Sequence, residues 1–217
     1  MFNGFVAVII AYLLGSIPSA YIVTRLKTGK DIRKLGGGNV GALNVYNEVG
    51  KGAAVLVGII DLGKGAAAVA IAYWILDFSS VQQVSVSHIF VLAAGLAVVV
   101  GHIWSVFLKF TGGNGLAATL GVLSVIMTKE LLIALAVAIL LLVITRNGIL
   151  SLNISLLVSV PVSAWLLDKP LLFILFPLLL AVILVLHFLP TARAALVKAG
   201  SKEKLSAELM RRTDTDK

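Results

Sequence analysis

Long apolar segments alternate with short polar ones along most of the 217-residue chain. A helix needs roughly 20 apolar residues to cross the hydrocarbon core of a bilayer, and seven segments approach that length. One division falls at Thr128-Lys129-Glu130, because lipid would reject two charges in the middle of a span. The predicted spans are residues 4–24, 53–77, 86–108, 114–127, 131–146, 149–167 and 170–189. The pattern predicts an all-α, polytopic integral membrane protein with about seven transmembrane helices.

The basic residues orient these spans in the bilayer. With seven spans, 15 of the 18 lysines and arginines fall on one face, Lys129 and Lys169 fall on the other, and Lys64 lies inside a span. Lys and Arg concentrate on the cytoplasmic side of membrane proteins, so the N-terminus is predicted outside and the C-terminus inside. The chain then divides into a membrane domain, 1–190, and a cytoplasmic basic tail, 191–217. A short interfacial helix and a disordered end are expected in this tail.

Composition supports a membrane location and excludes some partners. Hydrophobic residues make up 59% of the chain, charged residues only 13%, and the mean hydropathy is +1.06. A soluble domain of this size could not bury so much apolar surface, whereas lipid solvates it. The net charge is +8, and the charged residues lie between and after the apolar segments. It therefore indicates topology signals and anionic lipid contacts rather than nucleic-acid binding.

The loop after the first span is rich in glycine and asparagine. Its candidate substrate-contacting residues are Gly36, Gly37, Gly38, Asn39, Gly41 and Asn44. Glycine permits positive φ angles and a close approach of the backbone to a ligand. Successive backbone N–H groups in such a loop can form a nest that binds phosphate, and asparagine side chains add hydrogen bonds. A flexible turn between helices is the alternative for a loop of this kind taken alone.

A second glycine loop follows the third span on the same predicted face. It contains Gly112, Gly113, Asn114 and Gly115, and His102 ends the span just before it. A lone histidine at a span end is more often structural than catalytic. Next to a second glycine loop it becomes a candidate for function.

Ionisable residues within the predicted spans complete the set of candidates. Asp61 and Lys64 are spaced i, i+3, so they share a helix face and can pair. His187 lies near the cytoplasmic end of the last span, and Arg193 follows six residues later. A buried pair that only orients helices is the alternative for Asp61 and Lys64. No spacing typical of metal ligands occurs, and no cofactor is predicted. Together these residues predict an anion-binding pocket at the cytoplasmic membrane interface, suited to a phosphorylated, lipid-related substrate.

These motifs resemble those of the bacterial acyl-phosphate:glycerol-3-phosphate acyltransferase family (PlsY-type). The similarity runs through residues 11–18, Asp31-Ile32-Arg33-Lys34, both glycine loops, residues 61–65 and Gly101-His102. The resemblance implies seven spans and an active site on the cytoplasmic side of the cell's inner (plasma) membrane. It also implies transfer of an acyl chain from acyl phosphate to glycerol 3-phosphate, which forms lysophosphatidate for phospholipid biosynthesis without a metal. The oligomeric state stays open.

The resemblance assigns roles to the candidate residues, with several departures from the family pattern. Asn39, Lys64, His102 and His187 become the catalytic candidates, and the other residues named above become substrate-binding candidates. The departures are Gly37 for the usual serine, Leu43 for threonine, Asn47 for arginine, and Thr111 and Asn114 for lysines. The alternatives are an impaired paralogue that binds a phospholipid precursor or a partner, and, less favoured, a small transporter.

Overall fold

The computed structural model describes residues 1–77 and 86–199, which are entirely helical apart from their connecting loops. This confirms the predicted all-α class for the described residues. Two 3₁₀ turns, Ile32–Lys34 and Val106–Leu108, lie in loops. The α-helices are α1 Phe2–Ser16, α2 Ser19–Thr28, α3 Ala42–Glu48, α4 Lys51–Ile75, α5 Val86–Ile103, α6 Leu116–Ile126, α7 Thr128–Thr145, α8 Gly148–Leu166 and α9 Leu171–Ala199.

Four stretches of the described chain are long and apolar enough to cross a bilayer. They are Phe2–Thr28, Lys51–Ile75, Val86–Leu108 and Thr128–Thr145. Three shorter apolar helices, Leu116–Ile126, Leu150–Leu166 and Leu171–His187, follow the same order as the remaining predicted spans. The chain therefore has the helices of a membrane protein, and the full count of seven spans stays a prediction.

The first predicted span is broken, although its apolar pattern continues across residues 4–24. Helix α1 ends at Ser16 and α2 begins at Ser19, because Pro18 lacks an N–H group and disfavours a helical residue before it. Two carbonyls at the break accept hydrogen bonds from side chains of other segments, one in the loop after α5 and one on α4. Ser105 Oγ donates to the Ser16 carbonyl at 2.5 Å, and Lys64 Nζ donates to the Ile17 carbonyl at 3.1 Å. Irregular backbone within a membrane protein needs partners of this kind, since lipid offers none.

Glycines allow the helices of the first compact unit, residues 1–132, to pack closely. A Cβ at Gly101 of α5 would overlap the carbonyl of Tyr12 on α1. A Cβ at Gly121 of α6 would likewise overlap the carbonyl of Leu62 on α4. Small residues at such contacts let helix backbones approach in membrane proteins. This packing brings α1, α4 and α5 together around the break at Pro18.

The second compact unit comprises residues 133–217, of which 133–199 are described. Ser155 Oγ of α8 donates to the carbonyl of Ala134 on α7, and α8 packs against α9. Helix α9 runs without interruption from Leu171 through Pro190 to Ala199, so the separate short helix predicted after Pro190 is wrong. Proline removes only one backbone N–H from a helix, and here the helix continues past it. The predicted disordered end beyond residue 199 lies outside the described residues.

Candidate functional site

The first glycine loop is held in place by the side chain of Asn44. Its Nδ2 group donates to the carbonyls of Asn39 at 2.9 Å and Leu35 at 3.1 Å, and more weakly to that of Ile32 at 3.4 Å. Its Oδ1 atom accepts from the N–H group of Gly37 at 3.3 Å. Asn44 is buried at the start of α3. The loop is therefore an ordered structure built around this amide, and Asn44 uses its donors within the protein.

Two glycines of this loop have backbone conformations that other residues rarely adopt. Gly36 has a φ of +51° and Gly38 a φ of +72°, both in the left-handed region. A Cβ at Gly36 would also overlap Asn44 Oδ1. The backbone of Gly37 avoids that region, so a side chain is compatible with its conformation. The first loop thus needs glycine at 36 and 38 for geometry, and the half-buried Asn39 lies beside Gly41 at its end.

The second glycine loop contacts the first loop directly. The N–H group of Val40 donates to the carbonyl of Gly112 at 3.3 Å, and the N–H group of Gly113 donates to the carbonyl of His102 at 3.1 Å. A Cβ at Gly113 would overlap His102 Nε2 and lie 2.7 Å from the Val40 carbonyl oxygen. Gly113 is therefore the point where both loops and His102 meet. Asn114 is exposed, and Gly115 takes a φ of +83° before α6.

A buried polar cluster lies beneath this junction. Asp61 Oδ1 is 2.6 Å from Ser19 Oγ, 3.0 Å from Lys64 Nζ and 3.6 Å from His102 Nδ1. Asp61, Lys64 and His102 are each less than 10% exposed, at 1%, 8% and 7%. The predicted Asp61–Lys64 pair is present, and it is joined by Ser19, which sequence reasoning missed. The signal for Ser19 was its position directly after Pro18, where a helix break frees a hydroxyl to face a buried charge.

A small, partly open recess adjoins this cluster and the loop junction. Of the candidate residues, it brings together Lys64, His102, Gly112 and Gly113. The helix break, Ser16 to Ser19, forms another part of its wall, together with Val40, Ser105 and Leu108. Ser105 was also missed, because a serine near the end of an apolar span carries no strong sequence signal. The recess therefore combines a cation, an imidazole and glycine backbone in one place.

One of the cations that precede the first loop, Arg33, is paired with a carboxylate. Arg33 forms two-pronged hydrogen bonds with Asp31, the shortest 2.7 Å, and its guanidinium carbon lies 5.4 Å from the centre of the Tyr21 ring. Hydrogen bonding to Arg33 lowers the pKa of Asp31 to about 2, so the pair stays ionised down to strongly acidic pH. This pair anchors the entrance to the loop, and Lys64 is the lysine that lines the recess.

His187 and Arg193 lie on α9 in the second unit, whereas the recess is formed by residues of the first unit. The part that His187 and Arg193 play in the site therefore stays a prediction. Among the described residues, no group of three histidine, aspartate or glutamate side chains is arranged to hold a metal ion.

Asn44→Ala should destabilise the protein, because it leaves loop carbonyls and the Gly37 N–H group without their partner. Such a loss costs about 1–3 kcal/mol for buried groups. Thermal unfolding in detergent, followed by helical circular dichroism, measures the effect. Asn47→Ala is the matched control, since Asn47 is exposed on the same short helix. Equal midpoints for the two variants would contradict the role of Asn44 in holding the loop.

Comparison with known proteins gives one consistent result. The family profile described as glycerol-3-phosphate acyltransferase matches residues 5–196. Glycerol-3-phosphate acyltransferase 1 of Dehalococcoides mccartyi is 43% identical over 164 residues, covering 73% of this chain and 74% of that protein. Glycerol-3-phosphate acyltransferase of a Nostoc species is 33% identical, covering 95% and 94% of the two chains.

Two solved structures share the fold. The crystal structure of PlsY (YgiH), an integral membrane glycerol 3-phosphate acyltransferase, in its glycerol 3-phosphate form has a TM-score of 0.76 and 29% identity. Its lysophosphatidic acid form has a TM-score of 0.73 and 27% identity. Each match covers 90% of this chain and 92% of the other.

Proposed function

The chain belongs to the glycerol-3-phosphate acyltransferase family, and we propose that its recess is where an acyl phosphate and glycerol 3-phosphate meet. The chain is an integral membrane acyltransferase of lipid biosynthesis. The proposal adds the donor, the location of the site and the roles of its residues. The direct contact between the two glycine loops beside Lys64 and His102 is the observation that carries it.

The recess has the chemistry to bind phosphate. Glycine loops let the backbone approach a ligand without obstruction by side chains, and backbone N–H groups that have no partner within the protein can bind an oxyanion. The N–H groups of Gly37, Val40 and Gly113 are already bonded within the protein, so other N–H groups of the loops would bind the phosphate. Lys64 adds positive charge at the wall, although it also pairs with Asp61. Both substrates carry phosphate, so two adjoining loops fit them better than one would. Asn44 serves the site by holding the first loop, and Asn39 and Gly41 lie at the end of that loop.

The reaction needs positioning and charge stabilisation more than covalent help from the protein. The hydroxyl oxygen of glycerol 3-phosphate forms a bond to the acyl carbon, and the bond between that carbon and the phosphate oxygen breaks. The hydroxyl proton leaves with the released phosphate, so atoms and charges balance. Since the acyl group of the donor is already activated, holding the two substrates in line supplies much of the rate enhancement. No metal or cofactor enters this scheme.

Phosphate release by the purified protein tests the function directly. We expect phosphate to be released from acyl phosphate at a rate that depends on glycerol 3-phosphate, with lysophosphatidate formed in equal amount. Substrates of several acyl lengths and a control without protein belong in the assay. Absence of turnover above that control, for every donor and acceptor, would reject the enzymatic proposal and favour an impaired, ligand-binding paralogue.

We expect Asn114→Lys to lower the KM for glycerol 3-phosphate about tenfold. Asn114 is exposed in the second loop, at a position where the family usually has lysine. A charge-assisted hydrogen bond to phosphate contributes about 1.5–3 kcal/mol. Asn114→Gln changes length without adding charge and serves as the control. A KM that is the same for both variants would show that position 114 does not face the phosphate.

The proposed topology has seven spans, an outer N-terminus and the recess on the cytoplasmic side. It is supported by the lopsided distribution of lysine and arginine. The chain contains no cysteine, so a single introduced cysteine reports its own accessibility. We expect Lys129→Cys to react with an impermeant maleimide in intact cells, and Lys30→Cys to react only after the membrane is opened. Both positions are exposed, which makes the comparison fair. The reverse labelling pattern would show that the orientation in the membrane is opposite to the proposed one.

A further inference from the structure

The turn that leads into the second glycine loop has an unusual backbone. Lys109 has a φ of +57° and Phe110 a φ of +60°, both in the left-handed region that side chains disfavour. Apart from these two and Asp77, every described residue of the first unit with a positive φ is a glycine. Glycine would adopt this conformation more easily than lysine does. Strained residues of this kind concentrate at functional sites, so the side chain at position 109 is a candidate for function.

This turn lies at the edge of the recess. It is closed by the N–H group of Phe110, which donates to the carbonyl of Ser105 at 2.8 Å. Leu108 and Gly112 both line the recess, and Lys109 lies between them along the chain. Lys109 itself is exposed. It therefore stands beside the opening rather than in the wall.

The charge of Lys109 is not compensated by the protein. Its side chain forms no ion pair and no hydrogen bond with any residue that the structure describes. Lys64, which lines the recess, lies 3.0 Å from Asp61 and also donates to the carbonyl of Ile17. An ammonium group without a partner is the better one for binding an anion, because it has no carboxylate to give up.

The two substrates bring more negative charge than the recess balances by itself. A phosphate monoester carries a charge of about −1.5 to −2 at neutral pH, and two phosphates must come together here. The charge of Lys64 is shared with Asp61, and Thr111 and Asn114 add no charge to the second loop. Like charges at short distance repel, so an unpaired cation at the edge favours the state in which both substrates are bound.

We propose that Lys109 binds the phosphate of glycerol 3-phosphate at the edge of the recess. This inference rests on the proposed function. Glycerol 3-phosphate arrives from water, whereas the acyl chain of the donor keeps that substrate among the lipids. Trp104, which begins the same loop, is 38% exposed, and tryptophan is typical of the headgroup level of a membrane. An exposed lysine at that level is accessible to a soluble anion, and its flexible stem lets the ammonium group follow the phosphate.

Two substitutions at position 109 separate charge from backbone strain. Lys109→Gln removes the charge and Lys109→Arg keeps it, while both leave a side chain in the left-handed conformation. We expect Lys109→Gln to raise the KM for glycerol 3-phosphate about tenfold, as for the loss of one hydrogen bond to a charged group. The kcat and the KM for acyl phosphate should stay within a fewfold of the wild type, and Lys109→Arg should resemble the wild type. Lys51→Gln is the control, because Lys51 is exposed on the same predicted face.

A third variant, Lys109→Gly, removes charge and strain together. We expect it to unfold at a temperature no lower than the wild type, with a KM for glycerol 3-phosphate as high as that of Lys109→Gln. A KM as low as that of the wild type in either uncharged variant overturns the proposal. So does a KM in Lys109→Arg as high as in Lys109→Gln, because shape rather than charge would then matter. A rise in the KM for acyl phosphate alone overturns the assignment to glycerol 3-phosphate.

Binding measured without turnover keeps this inference separate from the proposed function. Isothermal titration calorimetry of glycerol 3-phosphate into the detergent-solubilised protein gives a Kd, which we expect to rise about tenfold in Lys109→Gln. An inactive wild type with this difference in Kd would reject the function and support the role of Lys109. An active wild type whose Kd and KM are unchanged in Lys109→Gln would reject only that role. A wild type that neither turns over nor binds glycerol 3-phosphate would reject both.

Discussion

Gly113→Ala is expected to lower kcat/KM at least about 100-fold. An added methyl group would overlap His102 Nε2 and lie 2.7 Å from the Val40 carbonyl oxygen. The contact is therefore crowded from two sides, by the imidazole and by the backbone of the first loop. To make room, the loops must separate or the ring must turn. Either change displaces groups that face the recess, and a loss of one preorganised donor alone costs about 10²–10³ in rate.

Steady-state phosphate release, with both substrates varied, measures this effect. Gly63→Ala is the control, since a Cβ there meets nothing within 4 Å and the residue is next to Lys64 on α4. Both variants should elute from size exclusion as the wild type does, because the change at Gly113 is local to the loops. Activity of Gly113→Ala within a fewfold of Gly63→Ala would mean that the loop junction is not part of the site.

Much of the fold follows from the sequence because hydropathy determines membrane helices directly. The division near residue 128 is confirmed, since α6 ends at Ile126 and α7 begins at Thr128. The break at Pro18 was missed because the apolar pattern runs unchanged across it. Hydropathy reports which residues lipid accepts, but it does not report backbone hydrogen bonds. The same limit explains why α9 was expected to stop at Pro190 and does not.

The candidate site was predictable in its parts and less so in its arrangement. The i, i+3 spacing was enough to predict the Asp61–Lys64 pair, since helix geometry alone brings such residues together. The motif resemblance to the acyltransferase family is confirmed by the family profile and by relatives covering nearly the whole chain. The contact between Val40 and Gly112 could not be predicted from the sequence, because it joins segments that are distant along the chain. Ser19 was missed because its role depends on the helix break before it, for which Pro18 was the only signal.

The polar cluster also makes a strong prediction about stability. Lys64→Met should lower the free energy of unfolding by about 3–5 kcal/mol, because it leaves the buried carboxylate of Asp61 without its lysine. It also removes the donor to the Ile17 carbonyl at the broken helix. Unfolding of the detergent-solubilised protein in a denaturant series measures the loss. Lys51→Met is the control, because Lys51 is exposed at the start of the same helix.

The double variant D61L/K64M separates charge from packing. If most of the loss in Lys64→Met comes from an uncompensated charge, removing Asp61 as well should restore more than half of the lost stability. If the loss comes from the Ile17 carbonyl, the double variant should be no more stable than Lys64→Met. Restored stability with low activity would place the ion pair in the chemistry of the recess, since a pair needed only for helix packing would return both together. That combination is the expected result, because Lys64 lines the recess and Asp61 lies 3.6 Å from His102, which lines it as well.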